Sequence, residues 1–223
     1  MSDLPHITTF KWVPPFARGF VRDLRARWAF EEVGQAYEVD LIDGPYAKSP
    51  QHRRYQPFGQ VPTYSDGKVE IFESGAIVLR IAEKGTGLLP DDADARLNAI
   101  QWLIAALNSV EPWVMQVAVV DVFEADKAWS PMRRPRVIAD LESRLADLDM
   151  ALGDKRWLDG ETFTVGDLMM ISVLGGLRGT DILQAYPRLA AYVARGEARP
   201  GHAKAMSDQL ALYEAADLQE GSA

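Results

Sequence analysis

The 223 residues include 24 Lys and Arg against 32 Asp and Glu, and the formal net charge of −8 argues against nucleic-acid binding through overall charge. There is no cysteine, which excludes disulfides, thiolate metal sites and a cysteine nucleophile, so any thiol chemistry needs a thiol from a bound molecule. The first residues, MSDLPHITTF, lack the basic and apolar regions of a signal peptide, and we identify no apolar run of membrane-spanning length. We therefore expect a cytoplasmic protein with neither nucleic acid nor membrane as a partner.

The first part of the chain alternates between strand and helix patterns. The β-branched run HITTF at 6–10 predicts a strand. Apolar residues at helical spacing over 20–33 predict a helix, with Gly34 as its C-cap. The alternating run AYEVDLI at 36–42 predicts a second strand, so this part reads as a β-α-β unit.

A predicted hairpin and a helix follow. The short runs VPTYS and VEIFE are typical of strands, and Asp66-Gly67 between them is a strong signal for a tight turn. Ser74 is the expected cap of the next helix, whose apolar face carries Ile77 and Ile81. The Gly- and Pro-rich stretch over 84–92 then breaks all periodicity and indicates an interdomain linker.

Everything after the linker is helical in pattern. One long helix begins near Leu97, and we expect Pro112 to end or bend it. In TVGDLMMISVLGGL, Thr164 and Asp167 have the spacing of a capping box, and the apolar run after them predicts a buried helix. The fold class is therefore an α/β domain over 1–83, the linker over 84–92 and an all-α bundle over 93–223.

Several of these segments resemble one family when they are taken in order. Gly-Gln-Val-Pro, the hairpin and ESGAIVLRIAE resemble the glutathione-binding half of a glutathione transferase, and RARWAFEEVGQAYEVDLI is similar to that family's first helix and second strand. LLPDD resembles its linker, and TVGDLMM its capping box. The chain thus resembles the cytosolic glutathione S-transferase family, in a bacterial form with FKWVPPFARG as an enlarged first loop. The resemblance implies a thioredoxin-like first domain and a helical second domain that contributes the electrophile site.

The resemblance also implies a glutathione site formed by Gln60, Val61, Pro62, Glu73 and Ser74. A cis bond before Pro62 would turn the backbone of Val61 outward, so that the tripeptide binds there as an added strand. Ser74 at a helix N-terminus would bind the γ-glutamyl carboxylate, and Glu73 would accept hydrogen bonds from the ammonium group. Gln60 would reach along the peptide. Taken singly, these residues equally fit an edge-strand proline, a plain helix cap and a surface acid.

A cation for the glycyl carboxylate is expected in the run His52-Arg53-Arg54. We select Arg53, because its distance before Pro62 matches that of a lysine in some classes of the family. The alternative is an exposed charged turn without a ligand.

The group that activates the thiol departs from the family pattern. Many members lower the pKa of the bound thiol with a Tyr, Ser or Cys side chain, but residues 11–33 contain no hydroxyl or thiol. The N–H groups at the start of the first helix could replace it, and so could the guanidinium of Arg18 or Arg22. We expect Arg25 and Arg27 to lie on the exposed polar face of that helix.

The second substrate is expected between the domains. Trp12 and Phe16 of the enlarged loop are candidates to line its pocket, and so are Trp102 and Asn108 of the helical domain. Each aromatic residue equally fits a place in a core.

The resemblance implies a glutathione transferase that acts as a homodimer in the cytoplasm, with glutathione as co-substrate, a small-molecule electrophile and no metal. The thiolate would attack an electrophilic carbon of an apolar molecule. Two alternatives remain open at this point: a glutathione-dependent disulfide reductase, and a non-catalytic binding or assembly module that keeps the fold.

Overall fold

The computed structural model of the chain describes residues 4–220. The chain divides into two compact units: one comprises the chain up to Leu88 together with the chain from Arg199 onward, and the other comprises Leu89–Ala198. This division lies inside the predicted linker. The last helix, which the sequence places in the second domain, belongs instead to the first unit, because it packs against the first helix of the chain.

A four-stranded mixed sheet forms the centre of the first unit. Strand β1 (His6–Phe10) pairs in parallel with β2 (Glu38–Ile42) and antiparallel with β3 (Thr63–Ser65), and β3 pairs antiparallel with β4 (Glu70–Phe72). The strand order is β2-β1-β3-β4. The predicted strands and the predicted hairpin are therefore confirmed.

Three helices accompany this sheet before the linker: α1 (Asp23–Val33), the short α2 (Gly44–Ala47) and α3 (Ser74–Lys84). Helix α1 ends at Gly34, where φ is +66°, a left-handed conformation that glycine adopts without a Cβ clash. The predicted C-cap is therefore confirmed. Helix α1 packs against α3 and buries Trp28 and other apolar side chains.

The second unit is all-helical. It comprises α4 (Ala93–Ala105), α5 (Glu111–Ala118), α6 (Ser130–Leu152), α7 (Val165–Leu174) and α8 (Pro187–Glu197). Helix α7 is buried almost throughout and packs against α4, α5 and α8, which places the core of this unit around it. The sequence prediction of a buried helix here is confirmed.

The start of α7 carries the predicted capping box. The Thr164 side chain accepts a hydrogen bond from the backbone of the first turn, and the Asp167 carboxylate accepts one from the Thr164 N–H at 3.0 Å. The buried Asp167 also accepts from the Leu158 N–H at 2.9 Å and from the Tyr192 hydroxyl at 2.9 Å. One carboxylate thus joins α7, the preceding loop and α8.

Pro112 does not end the helical segment. A π-helical turn over Ala106–Val110 joins α4 to α5, and Pro112 follows it at the start of α5. A second π-helical turn, Val119–Phe123, follows α5.

By length and composition the segment Ala93–Phe123 is capable of crossing a membrane, with a mean hydropathy of 1.5 over an 18-residue window. This finding corrects the expectation that no apolar run reaches spanning length. One such helix is weak evidence for a span, because core helices of soluble proteins meet the same test.

The last helix, α9 (Pro200–Glu220), runs along α1 in the first unit. Glu32 on α1 accepts two hydrogen bonds from Arg199, at 2.8 and 2.6 Å, and one from the Trp28 ring at 2.8 Å. The His202 ring packs edge-on against Trp28, with ring centroids 4.7 Å apart. These contacts join α9 to the C-terminal half of α1.

Candidate active site

The two sequence segments predicted to bind glutathione meet at one end of the β3–β4 hairpin. Thr63 and Phe72 are directly paired across the two strands. Because the strands run antiparallel, Val61 and Pro62 before Thr63 lie next to Glu73 and Ser74 after Phe72. The fold therefore brings together four of the predicted glutathione-binding residues, which are separated by about a dozen positions in the sequence.

The bond between Val61 and Pro62 is cis. Among the hydrogen bonds of residues 4–220, none involves the backbone N–H or C=O of Val61. The next backbone donor, the Thr63 N–H, is held by the Thr8 hydroxyl at 2.8 Å. The Val61 backbone groups are thus available to an extended ligand, as added-strand binding requires.

Two buried side chains, His52 and Gln56, contact Gln60 through their polar atoms. His52 Nε2 lies 2.8 Å from the Gln60 backbone oxygen, and Gln56 Nε2 donates to Gln60 Oε1 at 3.5 Å. His52 and Gln56 are both buried, whereas Gln60 is exposed. His52 belongs to the run in which a cation for the glycyl carboxylate was predicted. Its contact with the Gln60 backbone oxygen gives it a role in supporting this loop.

Glu73 and Ser74 differ from the predicted cap arrangement. Glu73, not Ser74, occupies the N-cap position, and its φ of +69° is in the left-handed region that L-residues rarely adopt. Ser74 is the first residue of α3 and is buried, while Glu73 is exposed. The unusual conformation at Glu73 turns the chain from β4 into α3 and is the kind of backbone strain found at functional sites.

Arg25 is buried, although the sequence pattern predicted an exposed position for it. It is only 7% exposed, and its Nη1 donates to the Ser74 hydroxyl at 3.0 Å. The expectation of a surface position is wrong because α1 is covered on one side by α3 and on another by α9, which leaves little of it exposed. Arg27 is buried for the same reason, at 3% exposure.

Arg53 is exposed and braces the loop that precedes Gln60. Its Nε donates to the Lys48 carbonyl at 3.2 Å and its Nη1 to the Pro57 carbonyl at 3.0 Å, while Lys48 Nζ donates to the Gly59 carbonyl at 2.8 Å. Gly59 has φ +64°, and a Cβ there would lie 2.7 Å from the Ala47 carbonyl oxygen, so this loop requires glycine.

The enlarged loop before α1 is joined to the last helix. Both terminal nitrogens of Arg18 donate to Asp217, at 2.7 and 2.8 Å, and the Trp12 ring nitrogen donates to the same carboxylate at 3.0 Å. The hydrogen bond to Asp217 raises the pKa of Arg18, and Arg18 followed by Trp12 lowers the pKa of Asp217. Phe16 of the same loop is 56% exposed.

A buried polar cluster lies where α1 begins. Asp23 is fully buried and accepts from Arg27 Nε at 2.7 Å and from Gln209 Nε2 at 2.7 Å, and the same amide lies 3.2 Å from the Val21 carbonyl oxygen. Burial raises the pKa of Asp23, against the lowering effect of Arg27. Arg22, the other predicted catalytic cation, is half-buried at the N-cap of α1.

Comparisons with known proteins show the family. Residues 16–83 match the family model "Glutathione S-transferase, N-terminal domain" and residues 131–195 match "Glutathione S-transferase, C-terminal domain". The chain is 30% identical to glutathione S-transferase F6 of Arabidopsis thaliana over 184 residues, which span 75% of this chain and 84% of that protein. The chain belongs to the glutathione S-transferase family. It is also 29% identical to a probable glutathione S-transferase of Oryza sativa subsp. japonica over 188 residues, 79% of this chain and 87% of that protein.

Solved glutathione transferase structures share the fold. A family member from Pseudomonas fluorescens pf-5, with two glutathione bound, superposes with a TM-score of 0.80 at 21% identity, covering 92% of both chains. A glutathione transferase from Burkholderia graminis, with two glutathione molecules per subunit, gives 0.81 at 22% identity, covering 92% of this chain and 88% of that one. The predicted family, fold class and transferase function are therefore confirmed, and the two alternatives gain no support.

The two second-substrate candidates of the helical unit, Trp102 and Asn108, lie in different environments. Trp102 on α4 is half-buried, and its Cβ lies 2.6 Å from where a Cβ on Gly166 would be, so α4 packs tightly on α7 at this point. Asn108 is exposed in the π-helical turn after α4. Trp102 thus has a packing role, and the role of both residues toward a substrate stays a prediction.

Sequence reasoning missed three residues of α9 that face the loop and the start of α1: Gln209, Tyr213 and Asp217. The Tyr213 hydroxyl lies 3.5 Å from the Thr9 hydroxyl, and burial raises its pKa to about 12. Their spacing of four residues was a detectable signal of one helix face. Nothing in the sequence indicated which element this face contacts, because the partners are about 190 to 200 positions away.

Proposed function

We propose that the protein is a cytoplasmic, homodimeric glutathione transferase with a glutathione site at the end of the β3–β4 hairpin. The observation that carries this proposal is the adjacency of the unpaired Val61 backbone, Glu73 and the buried Ser74–Arg25 pair. The cysteinyl backbone of glutathione would pair with Val61 as an added strand, with Pro62 beside it and Gln60 along the peptide.

The γ-glutamyl end of glutathione would lie at the start of α3. Its carboxylate would accept hydrogen bonds from Ser74 and from the N-terminal backbone of α3, where the helix dipole favours an anion. The positive charge of Arg25, 3.0 Å from the Ser74 hydroxyl, adds to this preference and orients that hydroxyl. Glu73 would accept from the γ-glutamyl ammonium group. Arg53 would use its remaining nitrogen for the glycyl carboxylate.

The thiol would be activated without a side-chain hydroxyl from residues 11–33. Arg18 is a weaker candidate than the sequence implied, because both of its terminal nitrogens are already paired with Asp217. We therefore assign thiolate stabilisation to the backbone at the start of α1, where Arg22, the other candidate cation, is the N-cap residue.

The reaction is nucleophilic substitution by sulfur. The thiol loses its proton to solvent, and the thiolate electron pair forms a carbon–sulfur bond with the electrophile. With an aryl halide, the carbon–halogen bond breaks and the halide leaves with its electron pair. Trp12 and Phe16 of the first unit are the proposed contacts of this small-molecule electrophile, and detoxification is the proposed role.

The test is calorimetric titration of reduced glutathione at neutral pH, followed by turnover of an aryl halide. We expect saturable binding of one glutathione per chain, and a loss of roughly tenfold or more in affinity for Ser74→Ala, because a hydrogen bond to a charged group is lost. Ser172→Ala is the matched control, since Ser172 donates to a backbone carbonyl within α7. No saturation up to several millimolar would refute the proposal.

A further inference from the structure

One face of α9 follows the enlarged loop from its end back to its start. Gln209, Tyr213 and Asp217 are four residues apart, so they lie on one side of the helix. Gln209 holds the Val21 carbonyl, Tyr213 lies under the Arg18 guanidinium with 6.0 Å from ring centroid to carbon, and Asp217 binds Arg18 and Trp12. The helix therefore contacts the loop, and Val21 between the loop and α1, at three successive points.

Asp217 is the last of these three residues along α9 and makes the most hydrogen bonds to the loop. Its carboxylate receives three hydrogen bonds from two side chains that lie six positions apart in the loop. Arg18 is bidentate, the geometry in which a guanidinium–carboxylate pair is strongest and most directional. Arg18 Nε also points to the Val13 carbonyl, at 3.4 Å, which ties the middle of the loop to the same cluster.

The exposure of the cluster suits a role in positioning. The Arg18 side chain is 15% exposed and that of Asp217 is 47% exposed, so the pair lies at the surface of the first unit rather than in its core. Because the Asp217 carboxylate is half exposed, water can replace it as a partner of Arg18 and Trp12, so the protein is expected to fold without it. Because Asp217 binds both Trp12 and Arg18, it directly determines the positions of these two side chains.

We propose that Asp217 is a positioning residue for the transferase reaction, which fixes the enlarged loop so that Trp12 and Arg18 form one wall of the electrophile site. This inference rests on the proposed function. In the described part of the chain Asp217 hydrogen-bonds to Trp12 and Arg18 and shares no hydrogen bond with the proposed glutathione-binding residues at the hairpin, so its loss is expected to affect the electrophile step and not glutathione affinity.

The experiment compares Asp217→Asn with Asp208→Asn in the full-length protein. Both substitutions remove one exposed negative charge from α9, but Asp208 pairs with Lys204 on the same helix and not with the loop. Three quantities are measured: the rate of tryptic cleavage after Arg18, followed by mass spectrometry; the glutathione Kd by calorimetry; and kcat/KM for an aryl halide. Asp217→Glu, which keeps the carboxylate, is the rescue variant.

We expect Asp217→Asn to increase cleavage after Arg18 and to lower kcat/KM for the aryl halide by about tenfold, the order of effect of a small misplacement of substrate-positioning groups. The glutathione Kd should stay within about threefold, Asp208→Asn should match the wild type, and Asp217→Glu should regain most of the activity. Added salt should lower wild-type kcat/KM toward the Asp217→Asn value, because an exposed pair is screened.

Two results would overturn the inference while leaving the proposed function intact. One is unchanged kcat/KM in Asp217→Asn, with or without faster cleavage, since the loop would then be fastened without consequence for the reaction. The other is an equal loss in Asp208→Asn, which would indicate a general charge effect. Absence of glutathione binding by the wild type would instead refute the proposed function, and the positioning role with it.

Discussion

Replacing Arg25 by Met tests whether a buried guanidinium supports the glutathione site. Methionine keeps an unbranched apolar chain of similar length, so the packing between α1 and α3 is largely preserved. The charge and the hydrogen bond to Ser74 Oγ at 3.0 Å are lost. Because Arg25 is only 7% exposed, water cannot fully replace it as a partner of the Ser74 hydroxyl.

The expected magnitude follows from the kind of contact that is removed. A hydrogen bond that involves a charged group contributes about 1.5–3 kcal/mol. Because the Arg25–Ser74 bond exists with or without glutathione, only part of this energy is expected to appear in binding, and at about 1.4 kcal/mol for each factor of ten the glutathione Kd should rise roughly tenfold. The effect is expected to be larger than that of removing an exposed charge, because the local dielectric is low at a buried site.

The assay is calorimetric titration of glutathione into Arg25→Met, with thermal unfolding followed by circular dichroism to verify folding. Arg136→Met is the control, since Arg136 is highly exposed and pairs with Asp140 on its own helix. The role of Arg25 would be refuted by a folded Arg25→Met protein whose glutathione Kd lies within threefold of the wild type. A similar loss of affinity in Arg136→Met would show that the change depends on net charge.

Three further predictions concern other parts of the chain. Asp167→Ala should lower the free energy of unfolding by about 3–5 kcal/mol in urea titration, since it removes a cap and leaves buried donors unsatisfied, whereas Asp167→Asn should cost less; equal losses would argue against the hydrogen-bond account. Burial opposes ionisation of Asp66, but hydrogen bonds from Lys84 and Arg80 outweigh it and hold its pKa well below its usual range. The ionised Asp66 therefore stabilises the fold at pH values above the unfolded carboxyl pKa of about 4, and this contribution is lost as the pH falls toward the lower pKa of the folded state. The free energy of unfolding of Asp66→Asn should fall less steeply with acid than that of the wild type. Identical pH dependence of the two proteins below a pH of about 4 would contradict this. Glu73→Gly should change the free energy of unfolding by no more than about 1 kcal/mol, because relief of the strained φ of +69° offsets the greater entropy of the unfolded glycine chain. The same substitution should weaken glutathione binding. An unchanged glutathione Kd would exclude Glu73 as a contact of the ligand.

Local patterns in the sequence were sufficient for most elements of the fold. Strand alternation, the Asp66-Gly67 turn, Gly34 and the Thr164–Asp167 box all act over a few residues, and each is where the pattern indicated. Two local signals did not hold in full: Ser74 is the first residue of α3 rather than its cap, and Pro112, which was expected to end or bend its helix, does not end the helical segment. A proline is normally read as a helix stop, but the π-helical turn before it supplies the extra residue that lets the helix continue.

The candidate site was only partly predictable, because some of its contacts join distant parts of the chain. The residues at the hairpin follow a known order, and the pairing of β3 with β4 places them at one end of that hairpin. The partner of Arg18 is 199 positions away, and the burial of Arg25 depends on two helices covering α1. Helical periodicity marks an apolar face but does not say which element covers it, so a charged residue on α1 was assigned to solvent.

The return of α9 to the first unit also has a consequence for synthesis on the ribosome. The sheet and α1 are translated first, but the helix that completes their packing follows about 110 residues later, after Leu89–Ala198. At about 5–20 residues per second, this interval lasts roughly 5 to 20 s. During that time the nascent first unit exposes the side of α1 that carries Trp28, and by the end of it the helical unit has all of its own segments. The helical unit is therefore expected to mature first, although it is the later of the two to begin.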